Sequence, residues 1–136
     1  MTDYMDNLET PSKFDLRYTE SKVIFTICDC SLDKKYSFYN LNRERAEKFL
    51  KRLQHIEKLT WGQFIALPRE SGLTPEKFGS EGFWIVDAQN SSERKLVERY
   101  YFHFRIEQKG LSRVFGYQCD QFFCITHIDY QGKIYH

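Results

Sequence analysis

The sequence lacks the motifs that mark several large classes of enzyme. Only seven glycines and three prolines occur among 136 residues, and neither a P-loop nor a G-x-G-x-x-G fingerprint is present. Without such a glycine-rich loop, nothing in the sequence indicates a cradle for nucleotide phosphates. A G-x-S-x-G elbow is also absent, so an α/β-hydrolase nucleophile is not indicated. We therefore expect a protein that works without a cofactor.

The cysteines do not have the spacing that is usual in zinc sites. Cys28 and Cys30 form a C-x-C pair, and Cys119 and Cys124 are five positions apart with His127 nearby. A zinc site would require all four thiols, or three of them with His127, to converge. Small buried apolar side chains are the alternative role for these residues. We expect no bound metal.

Long apolar runs are missing as well. No segment approaches the ~18 apolar residues of a membrane span. The first residues, MTDYMDNLETPSK, are acidic and polar and contain no apolar core of a signal peptide. We therefore expect a cytoplasmic protein with no membrane partner, and in that compartment the cysteines would be reduced.

An excess of charge of one sign is also lacking. Twenty basic and 19 acidic residues give a formal net charge of +1, which by itself does not favour a nucleic-acid partner. A basic surface must then arise from local segregation of charge. The length favours one domain. We expect a flexible tail over residues 1–12 and a single α+β domain over residues 13–136.

The first half of the chain changes from a strand pattern to a helix pattern. Apolar residues on both faces of VIFTIC predict a buried strand, and YSFYNL is interpreted as its hairpin partner after the turn SLDKK. A helix is predicted from about Arg43 to Lys58, with Asn42 as N-cap. Its apolar stripe, packed on the sheet, would be Phe49, Leu50, Leu53 and Ile56. Its basic residues, Arg52 among them, would lie on a solvated face.

Shorter elements are expected between this helix and the C-terminal region. Thr60 and Gln63 have the spacing of a capping box, which predicts a second helix that ends before Pro68. Thr74 before Pro75 is interpreted as the cap of one helical turn. The segment FWIVD is interpreted as a short strand.

The last 38 residues, Arg99 to His136, predict an antiparallel sheet. Four strands are expected: Tyr100–Glu107, Arg113–Gln118, Phe122–Ile128 and Lys133–Tyr135, with a tight turn at Cys119-Asp120-Gln121. In the first of these, Phe102, Phe104 and Ile106 share one face and are expected in the core. His103 and Arg105 share the other face and are expected to be accessible to solvent.

Basic residues on a solvated sheet face need no function, so the first interpretation is a plain wet face. The second interpretation is single-stranded RNA binding, in which cations pair with phosphates and aromatic rings stack on bases. In that case cations would also stabilise the charge that builds on a phosphate during cleavage. A histidine or tyrosine would transfer the proton.

The order of patterns in this region resembles the RelE/ParE superfamily of small toxins from bacterial toxin–antitoxin pairs. The segments that carry the resemblance are FHFRI, GLSRVFGY, FFCITHI and KIY. The resemblance implies a strand, two antiparallel helices and then an antiparallel sheet. It also implies cleavage of mRNA inside the ribosome, and an antitoxin protein as partner.

The resemblance assigns roles to particular residues. His103 and Arg105 stand where RelE-type enzymes have two lysines, Arg113 matches the arginine that opens the next strand, and Tyr135 matches the C-terminal tyrosine. With His127 as a second candidate base, the expected catalytic residues are His103, Arg105, Arg113, His127 and Tyr135. The expected RNA-binding residues are Arg105, Arg113, Lys109, Lys133 and Tyr117.

The chain departs from the family pattern where the returning strand ends. The family has an arginine there, whereas this sequence reads His127-Ile128-Asp129-Tyr130. Two alternatives to a ribonuclease therefore stay open. One is a non-catalytic protein-binding member of the same fold, and the other is an unrelated α+β binding module.

Overall fold

The computed structural model describes residues 14–76 and 100–132. It has α+β architecture, as the sequence predicts, with a five-stranded sheet and two α-helices among these residues. The predicted tail over residues 1–12, the strand FWIVD and the strand Lys133–Tyr135 lie outside the described residues.

Both predicted helices are confirmed, together with the residues that cap them. Helix α1 spans Arg43–Glu57, and the side chain of Asn42 accepts a hydrogen bond from the backbone N–H of Arg45. Helix α2 spans Trp61–Ala66 and begins with a capping box between Thr60 and Gln63. Each cap satisfies N–H groups that have no partner within the helix, which fixes where the helix begins.

The apolar stripe of α1 is narrower than the sequence predicts. Phe49 and Ile56 are buried and Leu53 is partly buried, but Leu50 is 55% exposed. Successive residues turn by about 100° around a helix, so Leu50 lies at the rim of the stripe formed by the other three. The prediction that Leu50 packs on the sheet was therefore wrong.

The sheet contains five strands: β1 (Ile24–Thr26), β2 (Thr74–Pro75), β3 (Phe102–Arg105), β4 (Arg113–Cys119) and β5 (Phe122–Asp129). Their spatial order is β1-β5-β4-β3-β2. The predicted antiparallel arrangement of β3, β4 and β5 is confirmed, while β1 lies parallel to β5. Asp120, with φ of 57°, forms the tight turn between β4 and β5.

Two predictions about local structure were wrong. YSFYNL does not pair with β1 but contains a 3-10 helix over Phe38–Asn40, so β1 is an edge strand and Ile24 is 36% exposed. Thr74–Pro75 is not a helical turn but the short strand β2, which pairs with β3. A residue before proline favours extended backbone, which explains why Thr74 is in a strand.

The two faces of the sheet bury different residues. Both helices cover one face, where Phe49, Ile56, Trp61 and Phe64 pack with apolar residues of β3, β4 and β5 in the main core. Phe102, Phe104 and Ile106 belong to this core, as the alternation in the sequence predicts. The opposite face, called here the second face, carries a smaller buried cluster of Tyr101, Phe115, Tyr117 and Cys124.

None of the helices in the described ranges, 14–76 and 100–132, combines the length and the apolar character that crossing a membrane requires.

Candidate functional site

The second face brings polar residues of three strands into rows. The strand register aligns two rows across β3, β4 and β5: Arg105–Arg113–Asp129 and His103–Phe115–His127. His103, Arg105 and Arg113, which the sequence singled out, are therefore neighbours in the folded chain. Asp129, at the end of β5, joins them in the first of these rows.

A β-bulge in β5 determines which residues complete these rows. Phe115 is opposite His127 and Gly116 is opposite Ile125, so Thr126 is an extra residue between them. The extra residue reverses the alternation of side chains beyond it. As a result Ile128 packs in the main core, whereas Asp129 is placed on the second face beside Arg113.

A cleft of about 230 Å³ opens on this part of the second face. It is lined by Arg69, His103, Arg105, Leu111, Arg113, Asp129 and Gly132. We call it the arginine cleft. Its three guanidinium groups and one carboxylate give it an excess of positive charge, although the whole chain is nearly neutral. The arginine cleft is the local segregation of charge that the composition alone does not show.

Arg105 and Arg113 lie directly opposite each other in the β3–β4 register. Each donates to a backbone carbonyl: Arg105 to Gln108 at 2.6 Å, and Arg113 to Gly110 at 2.7 Å. The ion pairs found within the described ranges involve neither guanidinium. Like charges in directly opposed positions destabilise a sheet. An anion in the cleft would relieve this repulsion.

The electrostatics of Arg113 agree with that conclusion. Burial, and after it repulsion from Arg105, lowers the pKa of the Arg113 guanidinium, while Asp129 and Glu76 act in the opposite direction. The protonated guanidinium is thus held in surroundings that oppose its charge. A bound phosphate would add to the counter-charge that Asp129 and Glu76 give, and a guanidinium matches phosphate geometry with two parallel hydrogen bonds.

Arg69 was not recognised from the sequence, and a half-buried residue of α1, Arg52, explains how the loop that contains it is held near the cleft. Arg52 donates through Nε to the carbonyl of Arg105 at 2.9 Å, and through a terminal nitrogen to the carbonyl of Ser71 at 2.5 Å. It thereby ties the loop that follows α2, which contains Arg69, to strand β3. Arg52 is half-buried, and burial lowers the pKa of its guanidinium. The prediction that Arg52 lies on a solvated helix face was wrong.

His103 has a buried carboxylate partner that sequence analysis also missed. Its Nδ1 forms a hydrogen bond with Oε2 of Glu76, and the two side chains are 15% and 6% exposed. The backbone N–H of Glu76 donates to the carbonyl of Tyr101 at 2.8 Å, which anchors Glu76 just after β2. No spacing in the sequence indicates this pair, because residues 76 and 103 meet only through the β2–β3 pairing.

Two of the predicted site residues are buried away from the cleft opening. His127 is fully buried and Tyr117 is 5% exposed. The Tyr117 hydroxyl donates to the carboxylate of Asp29, and burial first, then this hydrogen bond, raises the pKa of the phenol above its usual value. A ring that stacks on a base and an imidazole that takes a proton from a substrate must both be accessible, and neither of these side chains lines the arginine cleft.

The remaining predicted residues are not part of the cleft lining. Lys109 is exposed in the turn between β3 and β4, while Lys133 and Tyr135 lie outside the described residues. The four cysteines are free thiols, and burial raises the pKa of both Cys30 and Cys124 to about 11. Within the described ranges, no three His, Cys, Asp or Glu side chains are grouped so that they could hold a metal ion.

Comparisons with known proteins give no relative for this chain. No protein-family model matches it, and no curated protein or solved structure shows a significant match.

Proposed function

We propose that the arginine cleft binds an RNA phosphodiester and that the protein is a RelE-like toxin, a ribosome-dependent mRNA endoribonuclease of the bacterial cytoplasm. The observation that carries this proposal is the directly opposed pair Arg105 and Arg113 at one cleft. Two guanidinium groups that repel each other across a sheet are stabilised by one anion that accepts hydrogen bonds from both. A phosphate of RNA is such an anion.

The order of elements supports the second part of the proposal. A strand, two helices and then an antiparallel run of strands follow one another along the chain. This is the order that the resemblance to the RelE/ParE superfamily implies. The three described residues that the resemblance placed in the site, His103, Arg105 and Arg113, line one cleft.

The chemistry that these residues offer is proton transfer beside a charged phosphate. Arg105 and Arg113 would stabilise the additional negative charge of the transition state, and His103 would exchange the proton. Asp129 reduces the positive charge of the cleft, since it lies beside Arg113 at 2% exposure. We therefore expect slower cleavage than a cleft with an arginine at that position would give.

Induced expression in a bacterium tests the proposal. The parent protein is expected to slow growth and to cut mRNA on translating ribosomes, because its arginine cleft can hold the scissile phosphate. The double variant Arg105→Gln/Arg113→Gln is expected to lose both effects. Growth curves and mapping of mRNA 5′ ends give the two readouts.

A matched control distinguishes the loss of the cleft arginines from the loss of positive charge elsewhere on the surface. Lys35→Gln/Lys58→Gln removes the same two charges from exposed positions that do not line the cleft, and it is expected to remain as toxic as the parent. A parent protein that neither slows growth nor cuts mRNA would contradict the ribonuclease proposal. Equal toxicity of both double variants, with both folded, would place the activity on another surface.

A second candidate function is protein binding without catalysis, and an apolar groove favours it. Ile27, Leu32, Phe38 and Tyr39 are all exposed apolar residues, between 40% and 79%, and they line a cavity of about 310 Å³. Exposed apolar patches of this kind often mark protein interfaces. The groove would suit an antitoxin as well as another partner. A folded parent that binds a protein but leaves mRNA intact would favour this candidate.

A further inference from the structure

The pair of Glu76 and His103 lies at the arginine cleft but is not explained by phosphate binding. Phosphate needs cations, and the cleft already has three arginines. The Glu76 carboxylate is only 6% exposed and would repel a phosphate bound beside it. Its presence at the cleft therefore needs another explanation. Its oxygen Oε2 forms a hydrogen bond with Nδ1 of His103.

The contact determines which nitrogen of His103 is available to a ligand. Oε2 of an ionised Glu76 accepts a hydrogen bond, so Nδ1 carries the ring proton when the imidazole is neutral. Nε2 then has the lone pair. The hydrogen bonds formed within the described ranges include none to Nε2, and His103 lines the cleft beside Arg105 and Arg113.

The ring is held in place on its other sides as well. Strand pairing sets His103 opposite Thr74 of β2 and Phe115 of β4, and the ring of Phe115 lies 5.4 Å from the imidazole, centroid to centroid. The side chain is only 15% exposed. A base that is confined by neighbours and oriented by a carboxylate loses little freedom when the substrate binds.

We infer that Glu76 is a positioning residue that keeps His103 in the tautomer protonated at Nδ1, so that Nε2 accepts a proton from a ribose 2′-hydroxyl in the arginine cleft. The inference rests on the proposed function and goes further, because it assigns a role to Glu76 and names the ring nitrogen of His103 that takes the proton. It also separates the role of Glu76 from the roles of the arginines.

Nε2 takes the 2′-hydroxyl proton while a bond forms between O2′ and phosphorus and the bond from phosphorus to O5′ breaks. The departing O5′ takes a proton from water, and the hydroxide that remains takes the proton back from His103. No group outside the cleft other than water takes part.

Nitrogen-15 NMR of the folded protein tests the tautomer without any RNA. Long-range ¹H–¹⁵N spectra are expected to show the pattern of Nδ1 protonation for one histidine, identified as His103 because the signals vanish in His103→Gln. In Glu76→Gln the amide can donate as well as accept, so we expect that pattern to weaken or to change to Nε2 protonation. A parent His103 protonated at Nε2 when neutral would overturn the inference, and so would a tautomer that Glu76→Gln does not change.

Cleavage and binding of RNA give the second set of readouts. Glu76→Gln is expected to slow cleavage on translating ribosomes roughly 10²-fold or more, as loss of an oriented base does, while its affinity for RNA is no weaker than that of the parent, because the variant loses a negative charge beside the phosphate. Replacing the ribose at the cut with 2′-deoxyribose should abolish cleavage and leave binding. If Glu76→Gln cut RNA at the parent rate, the inference would fail even though the ribonuclease proposal stood.

The two proposals fail in different ways. If the parent protein cuts no RNA at all, the proposed function falls, and the parent tautomer then decides whether Glu76 positions His103. A Glu76→Gln protein that does not fold would leave the parent spectrum as the deciding measurement, since that spectrum needs no variant.

Discussion

Phe104→Ala is expected to lower the free energy of unfolding by about 3–5 kcal/mol, which is the usual range for removal of a buried aromatic ring. Phe104 is fully buried in the main core, where its ring contacts rings from β1, β5 and α2. Its ring is 5.4 Å from that of Phe123, 5.9 Å from that of Phe64 and 5.7 Å from that of Phe25, centroid to centroid. Truncation removes contacts from all three neighbours and leaves a cavity that they cannot fill. Urea denaturation measures the effect.

The neighbouring residue provides the matched control. Arg105 points to the second face, and its side chain donates one hydrogen bond, to the carbonyl of Gln108. Arg105→Ala should therefore lower the free energy of unfolding by about 1 kcal/mol or less. Equal losses in the two variants would show that the faces of β3 are assigned the wrong way round, and with them the arginine cleft.

Gly116→Ala is expected to destabilise the protein by about 3 kcal/mol, at the upper end of what overpacking causes. A Cβ at this position would lie 2.2 Å from the carbonyl oxygen of Cys124 and 2.5 Å from Cε1 of Phe123. The first of these atoms is backbone, so strands β4 and β5 would have to separate at the bulge. Thermal and urea unfolding would report the loss.

Gly110→Ala is the control, because it replaces a glycine by alanine at a position where the added Cβ causes no clash. Its nearest atoms would be 3.4 Å from the added Cβ, which is ordinary contact, and its φ is not in the left-handed region. We expect its free energy of unfolding to change by less than about 1 kcal/mol. If Gly116→Ala were as stable as Gly110→Ala, the close approach of β4 and β5 at the bulge would be wrong.

Features that depend on local sequence were predictable. Asn42 and the Thr60–Gln63 pair set the starts of the two helices, because capping involves residues only two or three positions apart. The alternation of apolar and polar residues from Phe102 to Ile106 predicted which side chains of β3 lie in the main core and which lie on the second face. This pattern too depends only on residues that are close in sequence. His103, Arg105 and Arg113 could be selected because two lie on one strand and the third opens the next.

Features that depend on distant pairing were not predictable. The parallel pairing of β1 with β5 joins residues about a hundred positions apart, and a strand pattern does not reveal its partner. Arg69 lies in a loop that Arg52 ties to β3, and the β2–β3 pairing brings Glu76 to His103. The bulge at Thr126 inverts the alternation that would otherwise assign Asp129 to the main core.

The most direct test of the arginine cleft is the affinity of the purified protein for labelled single-stranded RNA over a series of salt concentrations. Each phosphate contact contributes about 0.7 to the slope of log affinity against log salt for single strands. Because both arginines hold the same phosphate, Arg105→Gln/Arg113→Gln should bind at least roughly tenfold more weakly and give a slope about 0.7 shallower than the parent. Lys35→Gln/Lys58→Gln should match the parent in both quantities. Equal affinities and slopes for the two double variants would contradict RNA binding at this cleft.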